Sequence, residues 1–228
     1  MPRRDNLLNF TPEIAASYSK AHHIPNNAHL YISGRFDHNL VQGAVEENFA
    51  DWMRGYSSSN NLSAASPSYQ TVLFDRPGAE QSTIYWGLPI SHPGSASWIG
   101  LEVLNALLGG SFHSRITLNI REDKGYTYSP RSMMTARVED GIWLQVADVT
   151  TDVTAPALSE IFKEIVSIRE VAPTSDELEA IKQYMIGSFV REMSESGSRM
   201  GHFMLLGIWC VGVGPAGPRP GPPLHVFY

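Results

Sequence analysis

The stretch that decides the fold is "LLGGSFHSRITLNIREDKGYTYSPRS", Leu107 to Ser132. It reads as a helix stopped at Gly109-Gly110, a second helix over about Phe112 to Asp123, and a strand holding two tyrosines. Ser111 fits the cap of that second helix. Lys124-Gly125 ends it, because glycine suits the left-handed residue after a helix and lysine suits the negative helix end. Arg121 therefore belongs to the last turn. Tyr126 and Tyr128 are expected to share one strand face, with Thr127 opposite. A guanidinium and a phenol thus emerge together at a helix–strand junction.

Downstream, "YTYSPRSMMTARV" and "GIWLQVADVT" read as a hairpin turning at "EDG". "APALSEIFKEIVSIRE" and "SDELEAIKQYMIGSFVREM" read as amphipathic helices, the second capped by Thr174 or Ser175 with Glu177 in its first turn. Upstream, "SASWIGLEVLNALLGG" is an apolar helix, preceded by expected strands "QTVLFD" (70–75) and "QSTIYWGLP" (81–89). Near the start, Thr11 caps a helix running to about Ala21, and "HHIPNN" breaks it. "AHLYIS" (28–33) alternates like a strand, Gly34 to Asp37 is a turn, and Asn39 to Trp52 carries a helical stripe. "GYSSSNNLSAASPS" is a polar loop expected to be mobile.

Strands arrive in antiparallel pairs and helices in blocks. That order predicts an α+β two-layer sandwich, a mostly antiparallel sheet with helices packed on one face, and not a doubly wound sheet. The expected organisation is a lead-in over 1–10, one domain over 11–206, and a tail over 207–228. "GVGPAGPRPGPP" within that tail supports neither helix nor strand, so the tail is expected to be disordered or non-native.

The 228 residues are 43% hydrophobic and 18% charged, enough for one sizeable core. Net charge is −6 with scattered basic residues, which argues against a nucleic-acid surface. Cys210 is the single cysteine, so no intrachain disulfide forms. No run of 18 apolar residues occurs, so no membrane span is expected. "MPRRDNLLNF" has charge but no apolar stretch behind it and does not read as a signal peptide.

None of the eight histidines falls in H-E-x-x-H or H-x-x-E-H spacing, so a zinc site in this chain is not expected. Ser111, His113 and Ser114 are neighbours in sequence, whereas a triad is made by spatial convergence, and no G-x-S-x-G elbow exists. Gly109-Gly110 follows a helix and lacks a phosphate-loop pattern. Arg121 and Tyr128 are both donors, and neither is a good base near neutral pH. Together they suit holding a carbonyl or carboxylate oxygen, or a developing oxyanion. By residue chemistry alone, an Arg capping carbonyls and a Tyr packed on the sheet is the simpler reading.

The central segment resembles the C-terminal, non-zinc-binding half-domain of the insulinase/pitrilysin-type zinc peptidases, the M16 metallopeptidase family. Other segments are similar in the same order. "YSKAHHIPNNAHLYISGRFD" is similar to the family's entry helix, Pro-Asn turn and first strand. "VEENFADW" is similar to its Phe-x-x-Trp helix end, "RPGAEQSTIYWGLP" to its Gln-Ser strand, and "PTSDELEAIKQYMIGSF" to its late helix. The resemblance runs from about Thr11 to about Leu206.

The resemblance implies a protein built of homologous halves. The N-terminal half carries His-x-x-Glu-His and a downstream Glu; the C-terminal half has no metal and closes over the first to form a peptide chamber. It contributes an Arg and a Tyr seven residues apart, which match Arg121 and Tyr128 here, to bind the substrate backbone near the scissile carbonyl. This chain lacks the zinc motif, so the implied state is the half that is inactive alone, either a truncation or a natural subunit. No cofactor is then expected on this chain, and zinc is expected on the partner half. The implied partners are a zinc-bearing M16 half-domain, from the same original chain or a separate subunit, and an extended peptide substrate. A homo-oligomer stays open; nucleic acid and membrane are not expected. Two other functions stay open: a structural scaffold of the kind found among respiratory-complex core proteins, and peptide binding without cleavage by strand addition. A periplasmic home is the expectation for a bacterial member.

Overall fold

One central strand organises the sheet in this computed structural model, which describes residues 4–55, 70–136 and 140–210, with only the backbone at 203 and from 205 onward. Strands β1 (Gln81–Ile90), β2 (Arg131–Ala136) and β3 (Gly141–Thr150) lie in the order β1-β3-β2. Both pairings are antiparallel: Gln81 faces Thr150 and Ile90 faces Gly141, while Arg131 faces Val146 and Ala136 faces Gly141. The β2–β3 pair is the hairpin read from the sequence.

Side chains alternate along a strand, so this register sorts them into two faces. Trp143, Gln145, Ala147 and Val149 of β3 share a face with Ile84 and Trp86 of β1 and with Ser132 and Met134 of β2. Helix α6 (Thr154–Glu170) packs there through Ala157 and Ile161, joined by Ile116 and Ile120; all four are fully buried. Trp86 stacks on Phe162 at 5.7 Å. Burying each large aliphatic side chain contributes about 1.5–3 kcal/mol, so this layer carries the fold. The architecture is the expected α+β arrangement.

Helix α4 (Trp98–Asn105) passes into a wider π-type turn over Ala106–Gly110. Helix α5 (Arg115–Thr117) continues as a π-type turn through Leu118–Asp123. Helix α7 (Ser175–Ser194) opens on a capping box: Glu177 N–H donates to Thr174 Oγ1 at 3.2 Å, and Thr174 N–H to Glu177 Oε2 at 2.9 Å.

The chain divides into two compact units, Leu62–Met193, and Met1–Asn61 with Ser194–Tyr228. The sheet and its helices belong to the first. The second contains α1 (Arg4–Leu8), α2 (Pro12–His22), α3 (His38–Phe49) and α8 (Ser196–Cys210). Thr11 caps α2 by accepting from Ile14 N–H at 3.4 Å, and Asp37 caps α3 by accepting from Leu40 N–H at 3.1 Å. Trp52 Nε1 donates to His23 O at 3.1 Å, and Ile24 is buried beside Gly55.

Several local expectations need correction. Residues 28–33 and 70–75 are not strands. Leu30 and Ile32 are about half exposed, and Leu73 and Phe74 almost fully so. Alternation marks a segment able to pair, but a ladder also needs a partner, and neither segment has one among the described residues. The second helix of the opening stretch starts at Arg115 and not at Phe112. Ser114, not Ser111, precedes its first turn, and the Ser114 hydroxyl donates to Thr117 Oγ1 at 2.9 Å. Helix α8 has no counterpart among the elements expected from the sequence. The polar loop expected to be mobile, apart from Gly55, falls outside the described residues. Of the tail expected over 207–228, residues 207–210 continue helix α8 and the remainder, with the Gly/Pro run, lies outside the described residues.

Candidate functional site

The end of α4 is tied to the sheet by one amide. Asn105 Oδ1 accepts from Ser132 Oγ at 2.7 Å and from Trp143 Nε1 at 2.9 Å. The turn after it then passes directly over β2 and β3. A Cβ at position 109 would lie 2.5 Å from Gln145 Oε1 and 2.8 Å from Ser132 Oγ. One at position 110 would lie 2.5 Å from Asn105 Nδ2. The two glycines are thus explained by close approach. They do not take the left-handed cap conformation expected from the sequence, since neither has a positive φ.

Helix α5 is seated by Ile116 and Ile120, both fully buried. It closes at Gly125, whose φ of +64° is the left-handed value that glycine adopts without cost. Gly125 N–H donates to Arg121 O at 3.1 Å, and Tyr126 N–H to Ile120 O at 2.8 Å. This is the stop read from Lys124-Gly125. The next residues differ from expectation. Tyr126 packs on the core, Thr127 is buried and donates to Asp148 O at 2.6 Å, and Tyr128 is 81% exposed. Tyr126 and Tyr128 therefore do not share a face. Strand β2 begins only at Arg131, so the period of two does not govern residues 126–130.

Arg121 and Tyr128 nonetheless come together. Both line a concavity of about 370 Å³ walled by Gly109 to Phe112, Thr117 and Ser129 to Arg131. The Arg121 guanidinium lies 4.3 Å from the Phe112 ring centroid and 5.1 Å from that of Tyr128. Those are cation–π distances, and the two rings hold the guanidinium at the wall. Arg121 Nε also lies 3.2 Å from Glu122 Oε1. The Tyr128 hydroxyl makes no hydrogen bond among the described residues.

Arg115 leaves the same helix into different surroundings. Its Nε and Nη2 donate to Glu177 Oε1 and Oε2 at 2.9 and 3.1 Å. This two-pronged contact, helped by the Thr174 N–H, holds the Glu177 carboxyl down at about 2 and raises the Arg115 guanidinium above its ordinary value. The pair borders a second concavity of about 430 Å³, lined by apolar residues including Leu107, Leu118, Ile181 and Tyr184. The two concavities share Ser111 and Phe112.

Sequence reasoning missed Phe112, Ser111 and Arg131 as lining residues. An aromatic directly after Gly-Gly-Ser was the available signal for Phe112, which is 54% exposed. No local signal marks Ser111, whose hydroxyl is buried without a hydrogen-bond partner among the described residues. The donor set here is two guanidinia and several hydroxyls, which does not fit a metal ion. Among the described residues, no group of three or more His, Cys, Asp or Glu is placed to hold one.

Residues 9–185 match the family described as the peptidase M16 inactive domain. The chain belongs to the M16 metallopeptidase family, as one of its inactive domains. It is similar to proteins described as uncharacterized zinc proteases. One from Bacillus subtilis is 26% identical over 199 residues, covering 86% of this chain and 47% of that protein. Another, from Streptomyces coelicolor, is 23% identical over 207 residues, covering 86% and 44%. This M16 domain thus spans about half the length of the curated relatives it matches. Among solved structures, the peptidase M16 inactive domain from Pseudomonas fluorescens aligns with a TM-score of 0.80 at 16% identity, covering 92% of this chain and 50% of that one. A chain of Complex III2 from Candida albicans aligns with a TM-score of 0.72 at 17% identity, covering 90% and 50%. At these identities the structural likeness speaks for the M16 fold alone.

Proposed function

We propose that this M16 inactive domain is the non-catalytic half of a zinc endopeptidase. It completes the substrate chamber, and Arg121 and Tyr128 hydrogen-bond an extended peptide near the scissile bond. The observation that carries this reading is their shared concavity: a guanidinium braced by the Phe112 and Tyr128 rings, with the Tyr128 ring solvent-facing and its hydroxyl without a hydrogen-bond partner among the described residues. Bracing fixes the donor before substrate arrives, so little ordering entropy is lost on binding. Zinc, and the hydrolytic chemistry it supplies, belong to a separate zinc-bearing half; the residues here only hold and orient peptide. The similarity to zinc proteases about twice this length supports that division.

Mixing the chain with a matching zinc-bearing half is expected to give peptidase activity that neither has alone. Arg121→Ala then lowers turnover about hundredfold to thousandfold, the range for losing one preorganised donor, and Tyr128→Phe lowers it by a smaller factor. Zinc-dependent hydrolysis by the isolated chain contradicts the proposal.

The second reading is a scaffold, in which the same fold serves assembly and not proteolysis. The fold likeness to a Complex III2 chain favours it. A complex that assembles normally with the Arg121→Ala, Tyr128→Phe double variant and shows no peptidase activity decides for the scaffold.

A further inference from the structure

Phe112 is an aromatic residue without a place in the core. It is 54% exposed and belongs to neither buried cluster, so burial does not explain it. Its ring is engaged all the same. The Arg121 guanidinium lies 4.3 Å from its centroid, and the His113 ring lies 5.4 Å away at 66° to it. The backbone that carries Phe112 is fixed. Gly109 and Gly110 approach Gln145, Ser132 and Asn105 too closely for a side chain, and Ser111 is buried. Tyr128 is the looser of the two rings on Arg121: it is farther away, at 5.1 Å, and 81% exposed.

Stacking constrains a guanidinium without consuming it. The N–H groups lie in the plane of the group, so a ring on its face takes none of them. Arg121 shows both sides of this. Its side chain is only 24% exposed, yet its ion pair among the described residues, Nε with Glu122 at 3.2 Å, is to a half-exposed carboxylate. Its terminal nitrogens make no hydrogen bond among the described residues. The covering that orders the group therefore comes from the rings, and its remaining donors are spared.

We propose that Phe112 is a positioning residue whose ring sets the plane of the Arg121 guanidinium and so keeps its terminal N–H groups ordered at the concavity. The inference rests on reading Arg121 as a group that holds peptide. Phe112 acts through Arg121 and needs no contact of its own with the peptide.

The experiment has two arms. The first needs no peptide: NMR relaxation of the arginine Nε–H groups in the isotope-labelled chain reports how firmly each guanidinium is held. Phe112→Leu keeps an apolar side chain but removes the aromatic face. It is expected to loosen Arg121 while Arg115, held by Glu177, stays ordered. Phe112→Tyr, which keeps the face, restores Arg121 to the wild-type value. Glu122→Gln changes it little, because an exposed ion pair holds weakly. Unchanged order of Arg121 in Phe112→Leu, or loosening by Glu122→Gln alone, overturns the proposal.

The second arm measures the affinity of a labelled, unstructured peptide by fluorescence anisotropy. Phe112→Leu is expected to weaken binding about twofold to fivefold, the range for one exposed cation–π contact, and Phe112→Tyr to keep the wild-type affinity. In an Arg121→Ala chain, Phe112→Leu is expected to change nothing further, because the ring has no guanidinium left to place. A loss of the same size in that background gives the ring a peptide contact of its own and overturns the proposal. Peptide affinity untouched by Arg121→Ala, or no binding at all, faults the peptide-holding reading instead, and the relaxation arm alone then decides whether Phe112 places the guanidinium. Wild-type Arg115 signals in each variant check that helix α5 keeps its fold.

Discussion

Arg115 and Arg121 leave the same short helix one and a half turns apart and meet opposite surroundings. Arg115 is closed off: both prongs of its guanidinium are taken by Glu177, whose own helix is capped through the same carboxylate. Arg121 is braced but open: two aromatic rings hold it, and it faces a concavity shared with Tyr128. The difference is one of satisfaction. A cation whose donors are matched by a partner of the same domain ties elements together. A cation positioned by rings, with donors left over, is available to something outside the domain. Between them lie Ser111 and Phe112, which wall both concavities.

The change that breaks this comparison most severely removes its platform. Ile120 is fully buried and seats the helix turn that carries Arg121. Ile120→Ala is expected to cost about 2–5 kcal/mol of stability, by lost burial plus the cavity left behind, read by urea unfolding. Next comes the shared wall. In Gly109→Ala the new methyl meets Gln145 Oε1 and Ser132 Oγ well inside contact distance. Overpacking of this kind costs about 1–3 kcal/mol, and peptide affinity is expected to fall with it, because the turn that walls the concavity must shift.

The two arginines themselves sharpen the comparison. Arg115→Ala is expected to lower stability by about 1–2 kcal/mol, since it strands a half-buried carboxylate, while turnover per folded molecule in the reconstituted peptidase is unchanged. Arg121→Ala is expected to lower turnover strongly while costing about 1 kcal/mol of stability at most, from its ring contacts.

The smallest effect is with pH. The Glu177 carboxyl titrates at about 2 in the fold against 4.5 for the free group. Its contribution is therefore complete above about pH 4.5 and is lost as pH falls towards 2. With solvent screening of a carboxylate that is 36% exposed, the loss is about 1 kcal/mol. Urea midpoints between pH 6 and pH 3 are expected to fall more for the wild type than for Glu177→Gln.

What was legible in the sequence was set by the chain's own neighbours. The Thr174/Glu177 capping box, the Lys124-Gly125 stop and the β2–β3 hairpin depend on residues a few positions apart, and all three stand in the structure. So does the meeting of Arg121 and Tyr128, because one left-handed glycine redirects the chain between them. What failed depends on tertiary approach. Residues 28–33 and 70–75 carry strand alternation without a ladder partner among the described residues. Gly109 and Gly110 read as a helix stop, but contacts with Ser132, Gln145 and Asn105 explain them. Ser111 and Arg131 became site residues only when β2 was brought beside the turn after α4. The M16 resemblance supplied what residue chemistry alone left undecided: that an Arg and a Tyr at this spacing are worth following.

The most direct test of the central claim is arginine side-chain NMR. Nε–H signals of the isotope-labelled chain, titrated with an unstructured peptide, report on Arg115 and Arg121 in one spectrum. The account predicts that the Arg121 signal shifts progressively with peptide while that of Arg115 stays fixed. A moving Arg115 beside a stationary Arg121 would contradict it.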